Sequence, residues 1–450
     1  MKPFIRSWLI LLLLPAAIHG ATVINAAVGQ IHSLFLESDG SLWAMGFNSS
    51  GQLGDGTYYN SSRPVEVVSN GVVAFAAGYR HSLFVKSDGS LWVTGLNQYG
   101  QLGDGTFNNM DIPEEIETND VVAVAGGGEH SLYLKSDGSV WAMGYNGYGA
   151  LGDSSYNNTN RPQEIIASGV VAIAAGEQHS LFLKSDGSLW ATGNNSDGQL
   201  GDSTYNNTNQ PELIVPGGVT AIAGGGGFSL FMKSDGSLWG MGVGNLAELG
   251  SSVTFTTNQP DEIVSSNVMA ISAAWQHSLF LTTNGCLYAM GENEYGELGD
   301  GTLNTTNVPQ LIASNVVAIA KGSEALHSLF IKSDGSLWGT GYDVDSQLGD
   351  GFISNIASPE QILPLPPPTL FATVLSKTNL QLSGNCNFGG IYVALAATNL
   401  NEPFNQWAPV LTNFIGTRGT NYLYVPKGQV RVQLQINPGL PQQFYLLQGQ

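Results

Sequence analysis

The sequence predicts an all-β protein, with a seven-bladed β-propeller followed by a small β-sandwich-like domain. The first observation is a repeat, because the stretch Ser-Asp-Gly-Ser-Leu-Trp at residues 87–92 occurs in seven closely similar copies. Charged residues make up only 11% of the chain and glycine numbers 58, which is typical of many short strands and turns. The aromatic residue of the repeat recurs 49 residues apart five times and 50 apart the last time, at Trp43, Trp92, Trp141, Trp190, Trp239, Tyr288 and Trp338.

The Asp88-Gly89 pair of the repeat predicts a β-hairpin. It lies between two apolar runs, and the favoured two-residue turn needs positive φ at both central residues, which Asp-Gly adopts readily. Each copy is therefore expected to form a hairpin of this kind.

The whole repeating unit, clearest at residues 72–119, predicts three or four short strands. Leu83, Phe84 and Val85 are consecutive and apolar, so both faces of their strand should be covered. Such a sheet has to stack on similar sheets, and a closed ring leaves the fewest open edges. A linear solenoid is the alternative, but it would need polar capping units, and the end units here resemble the middle ones.

The ends of the repeat region predict how the ring closes. The first unit begins at Val23 with no strand of the type found at residues 113–116, whereas the last unit ends with such a strand at residues 359–363. We therefore expect the C-terminal strand to complete the blade that the N-terminus begins.

The remaining segments differ from the repeats. Residues 1–20 are predicted to be a secretory signal peptide, because Lys2 and Arg6 precede an apolar run that is short for a bilayer span. The propeller is predicted at residues 21–363, a proline-rich linker at 364–370 and a small β domain at 371–450. Export without a membrane span implies a secreted or cell-envelope protein, in the extracellular space or the periplasm.

The acidity of the chain limits its partners. The formal net charge is −20, and removal of the signal would leave 13 basic against 35 acidic side chains. Such a surface repels phosphate backbones and anionic lipid, so neither nucleic acid nor membrane is expected as a partner. Cys286 and Cys386 stand in different predicted domains, which favours isolated thiols over a disulfide.

The repeated pattern resembles the regulator of chromosome condensation repeat family. In the second copy the resemblance rests on Gly78, His81, Ser82, Asp88, Gly89, Trp92, Gly95, Asn97 and residues 100–106. It covers residues 23–363 and implies a seven-bladed propeller. Nucleotide exchange on a nuclear small GTPase, the family's best-known activity, depends on an extra hairpin and a basic tail, and the sequence shows neither. The resemblance extends to secreted bacterial propellers that work as protein-binding discs, and it implies that role here. The tail resembles a small β module of secreted bacterial proteins.

No catalytic residue, metal site or cofactor is predicted. Six histidines hold one slot of the unit, and around a ring they would stand too far apart to share an ion, so a scaffold role with backbone partners is expected. They are His32, His81, His130, His179, His277 and His327, with Phe228 in the fifth copy. The lone Asp of each Leu-Gly-Asp-Gly-Thr run lacks the neighbouring ligands of a calcium loop, and an Asx turn explains it. No nucleophile motif stands apart from the repeat, so the protein is predicted not to be an enzyme.

The predicted binding site lies where the copies differ, because the repeated residues build the scaffold. The positions between the Gly and the His of each unit vary, and in a ring they should share one face. The predicted binding residues are Tyr79, Arg80, Glu129, Glu177, Gln178, Trp275, Gln276 and Glu324. Arg, Tyr and Trp are the usual hot spots of protein interfaces, so an extracellular or envelope protein is the expected partner.

Other functions stay open. Aromatic residues head polar loops rich in Asn and Thr, where they could stack on sugars, so a glycan is the alternative partner. These residues are Tyr58, Phe107, Tyr156 and Tyr205. A hydrolase or lyase acting on an extracellular polysaccharide would need a compact group of acidic or His side chains in one pocket. A structural envelope component attached through the tail is the third alternative.

Overall fold

A computed structural model of the chain describes residues 22–250 and 256–363 with their side chains. The chain divides into two compact units, one of Ala21–Leu363 and one of Met1–Gly20 with Pro364–Gln450. Apart from the strand Leu13–Leu14, the predicted signal peptide lies outside the described residues, as do the side chains of the predicted linker and tail domain, so these assignments stay predictions. Strands of the second unit are Leu13–Leu14, Thr369–Val374, Asn379–Cys386, Ile391–Ala397, Ala408–Pro409, Leu423–Tyr424, Gly428–Gln435 and Phe444–Gly449.

The unit Ala21–Leu363 is a seven-bladed propeller, as the sequence predicts, and each blade is a four-stranded antiparallel sheet. The innermost strands are Val23–Val28, Val72–Ala77, Val121–Gly126, Val170–Ala175, Val219–Gly224, Val268–Ala273 and Val316–Ile319. The second strands are His32–Glu37, His81–Lys86, His130–Lys135, His179–Lys184, Phe228–Lys233, His277–Thr282 and His327–Lys332. The third strands are Leu42–Gly46, Leu91–Gly95, Val140–Gly144, Leu189–Gly193, Leu238–Gly242, Leu287–Gly291 and Leu337–Gly341. The outermost strands are Ser61–Val68, Met110–Glu117, Thr159–Ile166, Thr208–Val215, Thr257–Val264, Thr306–Ala313 and Ile356–Leu363. The described part of the chain contains no helix that is long and apolar enough to cross a membrane.

The hydrophobic core lies between neighbouring blades. One cluster joins Leu34, Leu42 and Leu53 of the first blade to Val72 and Phe84 of the second, and each of these side chains is buried. The second strand of each blade is buried along nearly its whole length. Because both faces of every blade are apolar, the stacking of blades supplies the burial that a single sheet would lack.

The repeated hairpin is held by a chain of side-chain hydrogen bonds. Asp88 accepts from the Ser90 amide and hydroxyl at 3.0 and 2.7 Å, and Ser90 Oγ accepts from Trp92 Nε1 at 2.9 Å. The Lys86 amide donates to the Ser90 carbonyl, and Gly89 has a φ of 83° whereas Asp88 does not have positive φ. The prediction of two positive-φ residues was therefore wrong, because the connection is a three-residue loop whose last residue alone is left-handed.

The ring closes differently from the sequence prediction. Strand Ile356–Leu363 pairs with Leu337–Gly341 of its own unit, and the first blade has its own outermost strand, Ser61–Val68. The predicted closure was wrong because each unit already contains all four strands of its blade. The last blade instead contacts the first directly, through a hydrogen bond of 3.0 Å from the Val28 amide to the Lys321 carbonyl.

The repeated histidines link each blade to the next. The bonds, 2.6 to 3.0 Å long, join the Nε2 of His32, His81, His130, His179, His277 and His327 to the Oγ of Ser82, Ser131, Ser180, Ser229, Ser328 and Ser33, respectively. Ser82 Oγ donates its own hydrogen to the Gln52 carbonyl at 2.8 Å, so it must accept from His32 Nε2–H. The scaffold role is as predicted, but the partner is a serine hydroxyl of the next blade and not a backbone group.

Burial keeps these histidines neutral. It lowers the pKa of each to about 3 or 4, far below the ordinary value. The glycine three residues earlier leaves room for the ring, since a Cβ on Gly78 would lie 2.3 Å from the His81 ring. This contact explains the Gly-x-x-His spacing of the repeat.

In five units a buried Asn donates to the Asp of the Leu-Gly-Asp turn that follows it. Asn97 is fully buried, donates from Nδ2 to Asp104 at 2.9 Å and accepts the Leu102 amide at 3.0 Å. Asp104 also accepts the Thr106 amide at 2.8 Å, which is the Asx turn that the sequence favours over calcium binding. Within residues 22–250 and 256–363, no group of three or more His, Cys, Asp or Glu side chains is arranged to hold a metal ion.

Candidate functional site

The loops that follow the innermost strands surround a cavity of about 450 Å³ on one face of the propeller, here called the face cavity. Blades one, two, three, four, six and seven contribute to its wall. The lining residues are Gln30, Tyr79, Arg80, Leu96, Gln98, Gly128, Glu129, Glu177, Gln178, Trp275 and Glu324.

A ring of backbone hydrogen bonds supports the face cavity. The Tyr79 amide donates to Gly127 O at 3.1 Å, and the amides of the following blades continue the pattern, with Gly128 donating to Glu177 O and Trp275 to Ala325 O. Close approach of the loops requires glycine at two places. A Cβ on Gly128 would lie 2.6 Å from Glu177 O, and one on Gly226 would lie 2.4 Å from Trp275 O. The loops are therefore held in fixed positions around the cavity.

Three carboxyl groups from three blades converge on the face cavity. Glu324 is 1% exposed, and burial together with the charges of Glu177 and Glu129 raises its pKa well above the usual value. Burial, Glu129 and Asp197 raise the pKa of Glu177 to about 7. Burial also raises the pKa of Glu129, although a hydrogen bond of 3.0 Å from Gln98 Nε2 opposes the shift.

Aromatic rings hold the arginine of the cavity. The Arg80 guanidinium carbon lies 4.9 Å from the centroid of the Tyr79 ring and 5.0 Å from that of Phe47, which is cation–π distance. Among the described residues Arg80 forms no ion pair with a carboxylate. Its charge is therefore stabilised by the two rings, and the carboxyl groups across the cavity are left without a cationic partner.

Seven of the eight sequence-predicted binding residues line the face cavity, and Gln276 does not. The Gln276 carbonyl instead accepts from the Glu292 amide at 2.8 Å, a bond between two loops of its own blade. Four lining residues were not in the predicted set. Gln30 and Gly128 belong to the variable positions between Gly and His, whereas Leu96 and Gln98 flank the repeated Asn97. The positions on either side of that asparagine also differ among copies, and this variation was the available signal.

Tyrosines extend the same group of loops beyond the cavity. Tyr99 and Tyr145 meet edge to face with centroids 5.1 Å apart, and Tyr145 contacts Tyr148 in the same way at 6.2 Å. The charge of Glu129 contributes to raising the pKa of Tyr145, which places this cluster beside the cavity wall. Rigid aromatic surface next to a cavity is a common feature of protein-binding sites.

The second predicted surface is dispersed. Tyr58, Phe107, Tyr156 and Tyr205 are 48 to 56% exposed, so they are not packed between blades. Each belongs to a different blade. The structure does not bring them together in the cavity.

The buried Glu324 predicts an effect on stability. Its folded-state pKa is raised, so the unfolded state releases the proton first, and the side chain destabilises the fold increasingly as pH rises above the ordinary glutamate value. We expect Glu324→Gln to raise the midpoint of thermal unfolding by about 2 °C or more at pH 8 and to leave it unchanged at pH 4. The exposed Glu164→Gln serves as the matched control. A lower midpoint for Glu324→Gln at pH 8 would contradict this account of the cavity.

Comparison with known families and structures agrees with this architecture. The profile of the RCC1-like domain matches residues 11–214 and, in a second alignment, residues 69–383. The chain belongs to the RCC1-like domain family. These matches extend over all seven blades, and they confirm the resemblance carried by the repeat. No curated protein matches the sequence.

Solved structures of this RCC1-like propeller type share its fold. Human WBSCR16 is 25% identical, with a TM-score of 0.65 over 73% of this chain and 95% of that protein. Prp20p of Saccharomyces cerevisiae, studied for its binding to Gsp1p and histones, is 24% identical, with a TM-score of 0.60 over 67% of this chain and 80% of its own. Yeast RCC1 (Prp20) in complex with Kap60 is 22% identical, with a TM-score of 0.65 over 80% and 91% of the two chains. At these identities the two yeast structures support the fold alone.

Proposed function

We propose that this RCC1-like propeller is an exported, non-enzymatic binding protein that binds another protein through the face cavity. The observation that carries the proposal is the convergence of seven variable residues from five blades on one cavity, next to a cluster of tyrosines. Residues that differ among otherwise repeated units have no shared role in the scaffold. Where such residues line one cavity, they are expected to bind a ligand.

The kinds of residue in the face cavity fit a protein partner. Trp275 and Tyr79 are half-buried, so each has surface left to bury, and Arg80 is already ordered by two rings. Such preordered Trp, Tyr and Arg residues contribute most of the energy of typical protein interfaces. Structures of the same fold concern proteins that bind other proteins, since Prp20p binds Gsp1p and histones and is also seen with Kap60. We propose binding without nucleotide exchange, because the units of this chain are too uniform in length to hold an extra hairpin.

The carboxyl groups of the cavity favour a second candidate, a hydrolase or lyase acting on an extracellular polysaccharide. Glu129, Glu177 and Glu324 lie in one cavity, and the raised pKa of Glu177 suits a general acid. Release of sugar from envelope polysaccharide by the wild type, abolished in Glu177→Gln, would establish this candidate in place of simple binding.

The binding proposal is tested by affinity capture with variants. The full chain, Tyr79→Ala/Trp275→Ala and Phe107→Ala/Tyr156→Ala are immobilised and exposed to extracellular and envelope fractions of the producing organism. A protein retained by the first and third, with affinity at least about 30-fold weaker for the cavity variant, is the expected result. If only the Phe107→Ala/Tyr156→Ala variant fails to capture the protein, the binding site lies on the exposed loops. If glycan is retained and no protein is, the partner is a glycan.

A further inference from the structure

Glu324 occupies its place because of a local insertion. The loop between the first two strands of the last blade is two residues longer than in the other blades, since His327 follows Val316 by eleven positions and His277 follows Val268 by nine. The innermost strands surround a central channel. Ser323 Oγ donates to the Gly126 carbonyl of the third blade at 3.4 Å, so the loop of blade seven extends across the mouth of this channel. The next residue, Glu324, is thereby carried into the face cavity, where no other blade places an equivalent side chain.

One oxygen of the Glu324 carboxyl is buried without a hydrogen-bond partner. Its side chain is 1% exposed, and its Oε1 accepts no hydrogen bond from any described residue. An unpartnered carboxyl oxygen at such depth destabilises the fold, and more so when it is charged. A group of this kind is retained against its cost when a ligand supplies the missing donor.

The other charges around Glu324 are mostly acidic. Glu177 and Glu129 face it from blades four and three, and Asp197 acts on Glu177. Arg80 is the cation of the cavity wall, and its guanidinium lies over aromatic rings. Gln98 donates to Glu129, and Arg80 Nε is a buried donor that makes no hydrogen bond with any described residue. Oε1 of Glu324 is therefore left without a donor although a cation lies in the same wall.

The geometry favours an organic cation over a metal ion. The carboxyl groups among the described residues are not close enough together to form a metal site. The wall also contains Trp275 and Tyr79, whose rings pack well against an aliphatic stem and attract a cationic head. A guanidinium group, with five donors, can reach several separated acceptors at once.

We propose that the face cavity receives a basic side chain, an arginine in preference to a lysine, that projects from the partner protein. This inference rests on the proposed function and specifies the chemistry of its central contact. The side chain donates to Glu324 and Glu177, while its stem lies against Trp275. Because a bound cation favours the ionised carboxylates, binding releases protons and tightens as the pH rises from 6 to 8.

The test uses short capped peptides in titration calorimetry with the full chain. Acetyl-Gly-Arg-Gly-amide is compared with the citrulline peptide, which has nearly the same shape and no charge. We expect the arginine peptide to bind at least tenfold more tightly, and Glu324→Gln to lose at least tenfold in affinity. The matched control is Glu164→Gln, an exposed carboxylate of the third blade, which should change affinity less than twofold. The thermal midpoint of each variant confirms that it is folded.

The outcomes separate this inference from the proposed function. Three outcomes would overturn the proposal that a basic side chain binds in the cavity. They are equal affinity for the two peptides, no binding of either peptide, and an equal loss of affinity in Glu164→Gln and Glu324→Gln. A protein captured equally by the wild type and Glu324→Gln would overturn it too, while leaving the proposed function in place. Arginine-peptide binding without any captured protein would support the cation site and overturn the proposed protein partner.

Discussion

Replacing His327 by alanine is expected to lower the free energy of unfolding by about 3 kcal/mol. The substitution removes a fully buried ring and the hydrogen bond of 2.6 Å that joins the last blade to Ser33 of the first. His327→Phe should cost less, about 1 kcal/mol, because Phe228 fills the same slot in blade five and is also fully buried. Urea unfolding followed by tryptophan fluorescence measures both values.

The pH dependence of this effect has a defined sign. The pKa of His327 is about 3 in the folded protein, below its unfolded value, so its stabilising contribution is complete above about pH 6.5 and is lost as the pH falls towards 3. The advantage of the wild type over His327→Phe should therefore shrink as the pH falls below about 6.5 and should reverse before pH 4. His179→Ala, which breaks the equivalent bond to Ser229 within the ring, is the matched control. If His327→Ala lowers the free energy of unfolding far less than His179→Ala does, the stability of the ring does not depend on the hydrogen bond between blades seven and one.

Asp343→Asn is expected to stabilise the protein by about 2 kcal/mol at pH 7.5. In blade two the corresponding residue is Asn97, which donates to Asp104, but in blade seven Asp343 faces the carboxyl of Asp350. Burial, first, and the charge of Asp350 raise the pKa of Asp343 to about 8, since one carboxyl must keep a proton to donate to the other. An asparagine supplies that hydrogen without a proton from solvent.

The gain from Asp343→Asn should depend on pH in the direction opposite to that of the histidines. Because the folded-state pKa is raised, the wild type loses stability as the pH rises from about 4 towards 8, so the advantage of the variant grows over that range and disappears below it. The reverse change, Asn97→Asp, is the matched control and should destabilise blade two by a similar amount. If Asp343→Asn has no effect at pH 8, the two carboxyl groups do not share a proton.

The fold was predictable because every unit repeats the same local chemistry. The period of the tryptophans set the number of blades, and apolar residues such as Leu83 and Phe84 showed that both faces of a sheet are covered. Ring closure was not predictable in the same way. The position of His327 is histidine in six units, and the position of Ser33 is serine in all seven. The identity of these residues therefore does not indicate that blade seven contacts blade one.

The candidate site was partly predictable from variation between copies. Positions such as Tyr79 and Trp275 follow the same strand in different blades, and a ring places them on one face. The acidic character of the cavity could not be foreseen, because the depth of Glu324 depends on how the longer loop of blade seven crosses the channel mouth. Gln276 does not line the cavity, although Arg80 and Gln178 hold the same position in their units and do.

The measurement that tests the central claim most directly is hydroxyl-radical footprinting of the full chain, alone and with the captured protein. If the face cavity is the binding site, oxidation of Trp275 and Tyr79 should fall at least fivefold in the complex. Tyr58 and Phe107, which are 48% and 56% exposed, should be oxidised at unchanged rates. Protection of Tyr58 and Phe107 with Trp275 and Tyr79 still reactive would contradict the account and place the partner on the exposed loops.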